Sequence, residues 1–414
     1  MRRALPTVPA GVRAAAALPI AAALVFAGLT TGHAAAGTGP APGSVPPDED
    51  PFYAAPADIG SYAPGAVVAS RPITPKAGPS ADSVEAWQIS YRTNDSHDRP
   101  ELAVTTLLVP KKAWTGPGAR PAVSAQAAED STGTQCAPSY GLASGSGYAA
   151  TAGIYTTSLL DRGWAVAVPD FEGPKSVFMG GVQAGHAVLD GIRAVKNFAP
   201  GGIGAASPWA LNGYSGGAQA TGWAAQLQPS YAPEVTLAGA AMGGTPADPA
   251  AVARSIDGGL FSGFEAAASV SLNAEYPEAG IDGLLNPAGR EAMNKARGAC
   301  LPDLLTGFAF KKLSDYTTVK DPLSVPSVAK ALKENTLGAA APATPVYTYH
   351  AVTDEIVPVG QAHTMVRAWC AKGATVRSDW DLLGEHSLEY LVRLGSSLDF
   401  LADRFAGKAP KNSC

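Results

Sequence analysis

Residues 209–223 constrain the fold of this chain more than any other segment. The short apolar run Trp209–Leu211 leads into Gly-Tyr-Ser-Gly-Gly at 213–217, and small residues with helical character follow. The pattern G-x-S-x-G between a strand and a helix is typical of a sharp turn that holds a serine above the edge of a parallel sheet. We expect Gly213 and Gly217 to be required because the backbone of such a turn approaches itself closely.

Strand-like and helix-like runs alternate along most of the chain. The strand-like runs are Glu85–Tyr91, Leu102–Val109, Pro121–Ala125, Trp164–Val168, Trp209–Leu211, Val235–Ala241, Val346–His350 and Thr375–Trp380. Helical patterns fall at Tyr155–Asp161 and at Gly185–Phe198, where apolar residues recur every three or four positions. This alternation predicts an α/β fold with a mostly parallel central sheet flanked by helices.

Residues 245–335 break the alternation. Five helix-like pieces follow one another there without an obvious strand: Pro249–Ile256, Leu260–Val270, Arg290–Ala296, Leu301–Phe310 and Val325–Leu332. We interpret the segment as a helical insertion that caps a pocket, with ordinary helical packing on the sheet as the alternative.

The N-terminus has the features of an export signal. Three arginines precede the uncharged run Ala14–Gly28, and a series of small residues ends at Ala36. This order predicts a secretory signal peptide over residues 1–36, with a membrane anchor as the alternative and the Sec or Tat route left open. A flexible leader is expected over 37–50 and the folded domain over 51–414. No later run is long and apolar enough to span a membrane, so we expect a secreted, extracellular protein.

Charge and cysteine content indicate whether nucleic acid, disulfides or a metal are to be expected. With 30 Lys and Arg against 35 Asp and Glu, the formal net charge is −5, and no basic block offers a surface for nucleic acid. Cys136, Cys300, Cys370 and Cys414 remain after removal of the signal peptide, and an even number favours two disulfides in any of three connectivities. Because no His or Cys cluster has the spacing of zinc ligands, we expect no metal.

A nucleophilic Ser215 would need a base and an acid that follow it in the order acid, then histidine. Of the three histidines beyond Ser215, His386 lies in a glycine-marked loop after a strand-like run, which would carry an imidazole to the top of the sheet. His350 is placed inside a strand and His363 at the start of a helix, so both are weaker candidates. We therefore predict His386 as the general base.

We expect the acid and the oxyanion donors to lie at the ends of strands that neighbour the serine turn. Asp354 follows the run that ends at position 350 and is the predicted acid, with Glu355 as the alternative. The amide of Gly216 can point at a developing oxyanion, and a second donor is expected within 126–131. The His-Gly motif of many esterases is absent from that segment.

Motifs distributed over most of the mature chain resemble the secretory lipases of the Candida antarctica lipase A type. They are, in chain order, Asp50–Tyr53, Ile89–Asp95, Glu129–Ser131, Gly163–Trp164, Pro169–Gly173, Val188–Asp190, Gly213–Gly217, Asp354 and His386. The resemblance implies an α/β-hydrolase fold with a helical cap inserted after the serine turn. It also implies hydrolysis of carboxylic esters, including triacylglycerols.

The same resemblance implies particular residue roles. The oxyanion hole would lie at Asp130 and Gly216, and Asp130 would donate through a protonated carboxyl or its backbone amide. The disulfides would pair Cys136 with Cys300 and Cys370 with Cys414.

Together these observations predict a serine ester hydrolase that acts as a triacylglycerol lipase through an acyl-enzyme on Ser215. The alternatives are a carboxylesterase for short-chain or polymer esters and, from a different class, a catalytically silent binding protein on a hydrolase fold. We expect no cofactor, a lipid or other ester substrate, transient contact with a lipid interface, and a monomer.

Overall fold

A computed structural model of the chain describes residues 39–146 and 149–414. The predicted signal peptide, residues 1–36, and the first two residues of the predicted leader lie outside the described residues. Pro47–Glu49 forms a 3-10 helix, and the adjacent Asp50 is buried and pairs with Arg71 at 2.7 Å. The packed part of the chain thus starts before position 51, because this ion pair ties the end of the predicted leader to the sheet.

Nine strands form one sheet in the described residues. They are β1 Val67–Pro72, β2 Val84–Asn94, β3 Pro100–Pro110, β4 Ala122–Gln126, β5 Ala165–Pro169, β6 Trp209–Tyr214, β7 Leu237–Gly243, β8 Val346–Ala351 and β9 Val376–Asp381. The strand order is β1-β2-β3-β5-β4-β6-β7-β8-β9. Pairing is antiparallel from β1 through β3 to β5 and parallel from β5 to β9. The predicted mostly parallel α/β sheet is confirmed.

Thirteen α-helices occur in the same described ranges. They are α1 Pro138–Ser144, α2 Ala149–Leu160, α3 Gly181–Phe198, α4 Gly216–Tyr231, α5 Pro249–Ile256, α6 Gly263–Glu275, α7 Ile281–Leu284, α8 Pro287–Ala296, α9 Leu301–Phe308, α10 Leu313–Tyr316, α11 Pro326–Glu334, α12 Val359–Ala371 and α13 His386–Phe405. Helices α3, α4 and α12 pack in one apolar cluster with the sheet. Helices α1, α2 and α13 pack in a second.

The central strands explain why helices flank both sides of the sheet. Every residue of β4 and β6 is buried. Successive side chains of a strand point to opposite faces. Accordingly, Ala122 and Leu211 belong to the first cluster, whereas Val123 and Ala210 belong to the second. A strand with apolar side chains on both faces buries them only when helices cover both faces of the sheet.

Seven helices, α5 to α11, stand between β7 and β8. Apart from an isolated bridge between Leu285 and Thr317, the described residues of this insertion form no strand pairing. The insertion has an apolar cluster of its own, which includes Leu272, Met293 and Val328. The four-residue helices α7 and α10 were not anticipated because so short a helix leaves no periodicity in the sequence. That the insertion caps a pocket remains a prediction from the sequence.

Two disulfides connect distant parts of the chain. Cys136 is bonded to Cys300, which joins the region after β4 to the helical insertion. Cys370 is bonded to Cys414, which joins α12 to the last residue. These are the two pairings that the resemblance implies. Within the described ranges, no helix combines the length and apolar character needed to cross a bilayer.

Candidate active site

Ser215 lies in a sharp turn between β6 and α4. Its backbone angles, φ 55° and ψ −125°, fall in a region that side-chain-bearing residues rarely adopt and that occurs at functional turns. A β-carbon on Gly213 would lie 2.3 Å from the carbonyl oxygen of Gly217, and one on Gly217 would lie 1.9 Å from that of Gln126. Both positions therefore require glycine, as the sequence pattern predicts.

His386 brings Ser215 and Asp354 into one chain of hydrogen bonds. Its Nε2 lies 2.8 Å from Oγ of Ser215, and its Nδ1 lies 2.7 Å from Oδ2 of Asp354. The loop in which His386 was expected ends one residue earlier, because Glu385 caps α13 and His386 is its first residue. The Tyr214 hydroxyl donates a hydrogen bond to the carbonyl of His386, which anchors the start of the helix beside the serine turn.

The Asp354 carboxylate is fully buried and surrounded by donors. Its Oδ1 accepts from the Val357 amide at 2.7 Å, while Oδ2 also lies 3.2 Å from Nε2 of His350. Burial alone would raise the pKa of Asp354, but the hydrogen bonds from His350 and His386 outweigh it and hold the pKa well below its usual range. Glu355 instead accepts from the backbone amide of His386 at 3.1 Å. Asp354 therefore contacts the imidazole ring, and Glu355 contacts only the backbone.

His350 is a contact of this site that the sequence reasoning missed. It is fully buried in β8, as expected, but its Nε2 also lies 2.8 Å from the carbonyl oxygen of Val357. The spacing of four residues between His350 and Asp354, across the end of a strand, was the available signal. By binding both Asp354 and the turn that follows, His350 fixes the direction of the carboxylate.

The two predicted oxyanion residues lie next to each other beside Ser215. Asp130 is buried, has a φ of 48°, and lines the same cavity as Ser215 and Gly216. A β-carbon on Gly216 would lie only 1.9 Å from Oδ1 of Asp130, and that oxygen has no hydrogen-bond partner. Burial raises the pKa of Asp130 to about 7, against the opposing effect of His386. The carboxyl is therefore close to the balance between its neutral and charged forms at neutral pH.

Further buried carboxyls support the loop that carries Asp130. The amide of Ser131 donates to Glu172 at 3.4 Å. Burial, followed by the charges of neighbouring acids, raises the pKa of both Glu129 and Glu172 well above the usual range. Such buried carboxyls take up protons and stay neutral at ordinary pH, which avoids accumulating negative charge beneath the site. From the sequence, Glu129 and Ser131 were among the candidate oxyanion donors within 126–131, and Glu172 was a motif position only.

A large cavity opens beside Ser215. Its volume is about 1310 Å³, including the part open to solvent. Asp130, Ser215 and Gly216 line it, and the rest of its wall is mostly apolar side chains from the helical insertion. Among the described residues, no group of three or more His, Cys, Asp or Glu side chains is arranged to hold a metal ion. The site thus combines a hydrogen-bonded serine with an apolar space next to it.

Comparison with known proteins agrees with this architecture. The family model described as "Secretory lipase" matches residues 149–413. The chain is 35% identical over 384 residues to "Secreted triacylglycerol lipase LIP1" of Malassezia furfur, which covers 89% of this chain and 78% of the relative. It is 34% identical over 374 residues to a "Probable inactive lipase" of Mycobacterium tuberculosis, covering 87% of this chain and 83% of that one.

A solved structure gives the same relationship in three dimensions. The closed state of Candida antarctica lipase A superimposes with a TM-score of 0.84 at 34% sequence identity, covering 89% of each chain. The described sheet order, the flanking helices and this likeness together identify an α/β-hydrolase fold. The chain belongs to the secretory lipase family.

Proposed function

We propose that this protein is a secreted carboxylic ester hydrolase that acts on triacylglycerols through an acyl-enzyme on Ser215. The observation that carries the proposal is the hydrogen-bonded chain from Ser215 through His386 to Asp354, with Ser215 in the wall of an apolar cavity. The name of the Malassezia furfur relative, a secreted triacylglycerol lipase, supports the substrate class and the secretion.

The geometry suits a two-step acyl transfer. His386 Nε2 accepts the proton of Ser215 as Oγ attacks the ester carbonyl, and the buried carboxylate of Asp354 stabilises the resulting imidazolium. The Gly216 amide and a protonated Asp130 carboxyl donate to the negative oxygen of the tetrahedral intermediate. Collapse breaks the ester bond, and the departing alcohol takes its proton from His386. Water then repeats the sequence and releases the acid.

The alternative of a catalytically silent protein is not favoured. One relative carries the name of a probable inactive lipase, so membership of the family does not by itself establish activity. In this chain, however, the 2.8 Å between Ser215 Oγ and His386 Nε2 is the distance of a proton-transferring hydrogen bond, and the 2.7 Å between His386 Nδ1 and Asp354 Oδ2 is that of the hydrogen bond that orients the imidazole. The apolar walls of the cavity suit the hydrocarbon part of an acyl chain.

The proposal is tested with p-nitrophenyl esters from acetyl to palmitoyl and emulsified triolein, alongside labelling by an organophosphonate. We expect turnover of long-chain esters and triolein, and stoichiometric loss of activity with the label on Ser215. Activity confined to short chains would make the protein a carboxylesterase. No turnover and no labelling would support the binding-protein alternative.

Asp130 is expected to impose a decline in activity on the alkaline side. A donor to the oxyanion must be protonated, so with a pKa of about 7 the Asp130 carboxyl donates at lower pH and becomes a repelling carboxylate as pH rises through 7. Asp130→Asn keeps a neutral donor at every pH and should shift the alkaline decline of kcat/KM upward. Asp130→Ala should lower kcat by about 10²–10³ at its best pH. An unchanged alkaline decline in the Asn variant would exclude this role.

Exposed leucines near His386 support contact with a lipid surface. Five large apolar side chains lie between positions 382 and 392 and are 49–86% exposed: Leu382, Leu383, Leu388, Leu391 and Val392. They surround the start of α13, on which His386 is the first residue. A cluster of exposed apolar side chains is typical of a surface that contacts another apolar surface.

The double variant Leu382→Ser/Leu383→Ser should lower the rate on emulsified triolein by about tenfold or more, because two apolar side chains no longer enter the lipid surface. Hydrolysis of dissolved p-nitrophenyl butyrate should change far less. Phe198→Ser is the matched control, since it removes an exposed ring at the far end of α3, away from the carboxyl edge of the sheet. Equal losses on the emulsion and on the dissolved ester would refute the interface role.

A further inference from the structure

One face of α6 forms part of the wall of the active-site cavity. The residues of this helix that line the cavity include Glu265, Ala268, Ser269 and Leu272, at spacings of three, four and seven positions. This is the spacing of a single helix face. Glu265 lies at the start of this face and places a carboxyl group where an apolar side chain would ordinarily be found.

The Glu265 carboxyl has unused hydrogen-bonding capacity. The residue is only 5% exposed, and its Oε1 is buried without a hydrogen-bond partner. Lys311 and Lys312 line the same cavity, yet the ion pairs found in the described part of the chain do not include Glu265. The charged group that acts on it is Asp257, whose own Oδ1 accepts from the amide of Leu313.

Burial, with a contribution from Asp257, raises the pKa of Glu265 to about 9. At neutral pH the side chain is therefore an uncharged carboxyl, with one O–H donor and acceptor oxygens in an apolar wall. A buried polar atom left without a partner destabilises the state in which it is unpaired. A bound molecule that brings a hydroxyl to this point would remove that penalty, whereas a plain hydrocarbon chain would not.

We propose that Glu265 is a polar subsite of the acyl-binding cavity and selects acyl chains that carry a hydroxyl group. The substrate class is then esters of hydroxy fatty acids, bound with the hydroxyl against the Glu265 carboxyl while the ester carbonyl lies at Ser215. This inference rests on the proposed function of the same cavity. Because the carboxyl occupies one place along the cavity, the preference is confined to a narrow range of hydroxyl positions along the acyl chain.

The test compares p-nitrophenyl palmitate with p-nitrophenyl esters of palmitic acids hydroxylated at carbons 3, 8, 12 and 16. The quantity measured is the ratio of kcat/KM for each hydroxylated ester to that for palmitate. In the unaltered protein we expect the ratio to peak at one position at about tenfold, the effect of one additional hydrogen bond in a buried site. A ratio of one or less at every position overturns the proposal.

Two variants at Glu265 separate hydrogen bonding from cavity shape. Glu265→Gln keeps a donor and an acceptor and should retain the peak. Glu265→Leu should abolish it, with a lower kcat/KM for the hydroxylated ester and a higher one for palmitate. Loss of an unpaired buried carboxyl should leave the Leu variant at least as heat-stable as the parent. A peak that persists in the Leu variant refutes the assignment.

Ser269→Ala is the matched control, because Ser269 is another polar side chain on the same cavity face of α6. It should keep the peak, and loss of the peak in this variant but not in Glu265→Leu would assign the subsite to Ser269 instead. Failure of the proposed function would have a different signature. In that case neither palmitate nor any hydroxylated ester would be hydrolysed in a Ser215-dependent manner. Ser215-dependent hydrolysis without a hydroxyl preference overturns the Glu265 proposal alone.

Discussion

Replacing Ser215 by alanine is expected to lower kcat for every ester substrate by about 10⁶-fold. The substitution removes only the hydroxyl group. Its oxygen, Oγ, is the proposed nucleophile and lies 2.8 Å from Nε2 of His386. Without it no acyl-enzyme forms, and only the oxyanion donors and substrate binding remain to stabilise the transition state. Initial rates on p-nitrophenyl butyrate and triolein measure the loss, and electrospray mass spectrometry should detect no organophosphonate adduct.

The fold of the Ser215→Ala variant should be intact. Alanine can be held at the same backbone angles of φ 55° and ψ −125°, because the hydrogen bonds of the turn are made by backbone atoms. We therefore expect a Tm within a few degrees of the parent. Substantial ester hydrolysis by a folded Ser215→Ala protein, freed of contaminating esterase, would disprove the acyl-enzyme assignment.

Asp354→Asn should lower kcat by about 10⁴-fold with little effect on KM. The Asp354 carboxylate accepts a hydrogen bond from Nδ1–H of His386 at 2.7 Å and is kept ionised by its donors. An asparagine amide can donate to Nδ1, which places the imidazole proton on Nε2. A protonated Nε2 has no free lone pair and cannot accept the proton of Ser215. The neutral amide also no longer stabilises the imidazolium that forms during attack.

Glu355→Gln is the matched control for that loss. Its carboxylate is adjacent in sequence but accepts only from the backbone amide of His386, at 3.1 Å. A glutamine oxygen can accept the same hydrogen bond, so kcat should fall by less than about tenfold. If the Glu355 variant lost activity as severely as the Asp354 variant, the acid of the site would have to be reassigned.

The local elements of the site were accessible to sequence reasoning because each is encoded within about ten residues. The strand, the G-x-S-x-G turn and the following helix occur at 209–231 as the pattern indicates. Edge strand β1, Val67–Pro72, was missed because its residues are half-buried and lack both an apolar run and a clear alternation. The two disulfide pairings came from the resemblance, since counting cysteines left three connectivities open.

Contacts between residues that are distant along the chain could not be predicted from local patterns. Ser215 and His386 are separated by 171 positions, and no local spacing reports whether their side chains meet. Similarly, the choice between Asp354 and Glu355 depends on which carboxyl points at the ring rather than at the backbone.

Three features can be read directly from the sequence: the serine turn, the chain order of serine, acid and histidine, and the alternation of strands and helices that builds the parallel sheet. These follow from backbone sterics and apolar periodicity, which act over short stretches of chain. By contrast, the packing of Asp130 against Gly216 and the unpaired carboxyl of Glu265 in the cavity wall exist only in the folded protein. Burial and hydrogen-bond partners arise only when separate elements pack together. The pKa shifts and the unpaired polar groups of the site therefore cannot be read from the sequence.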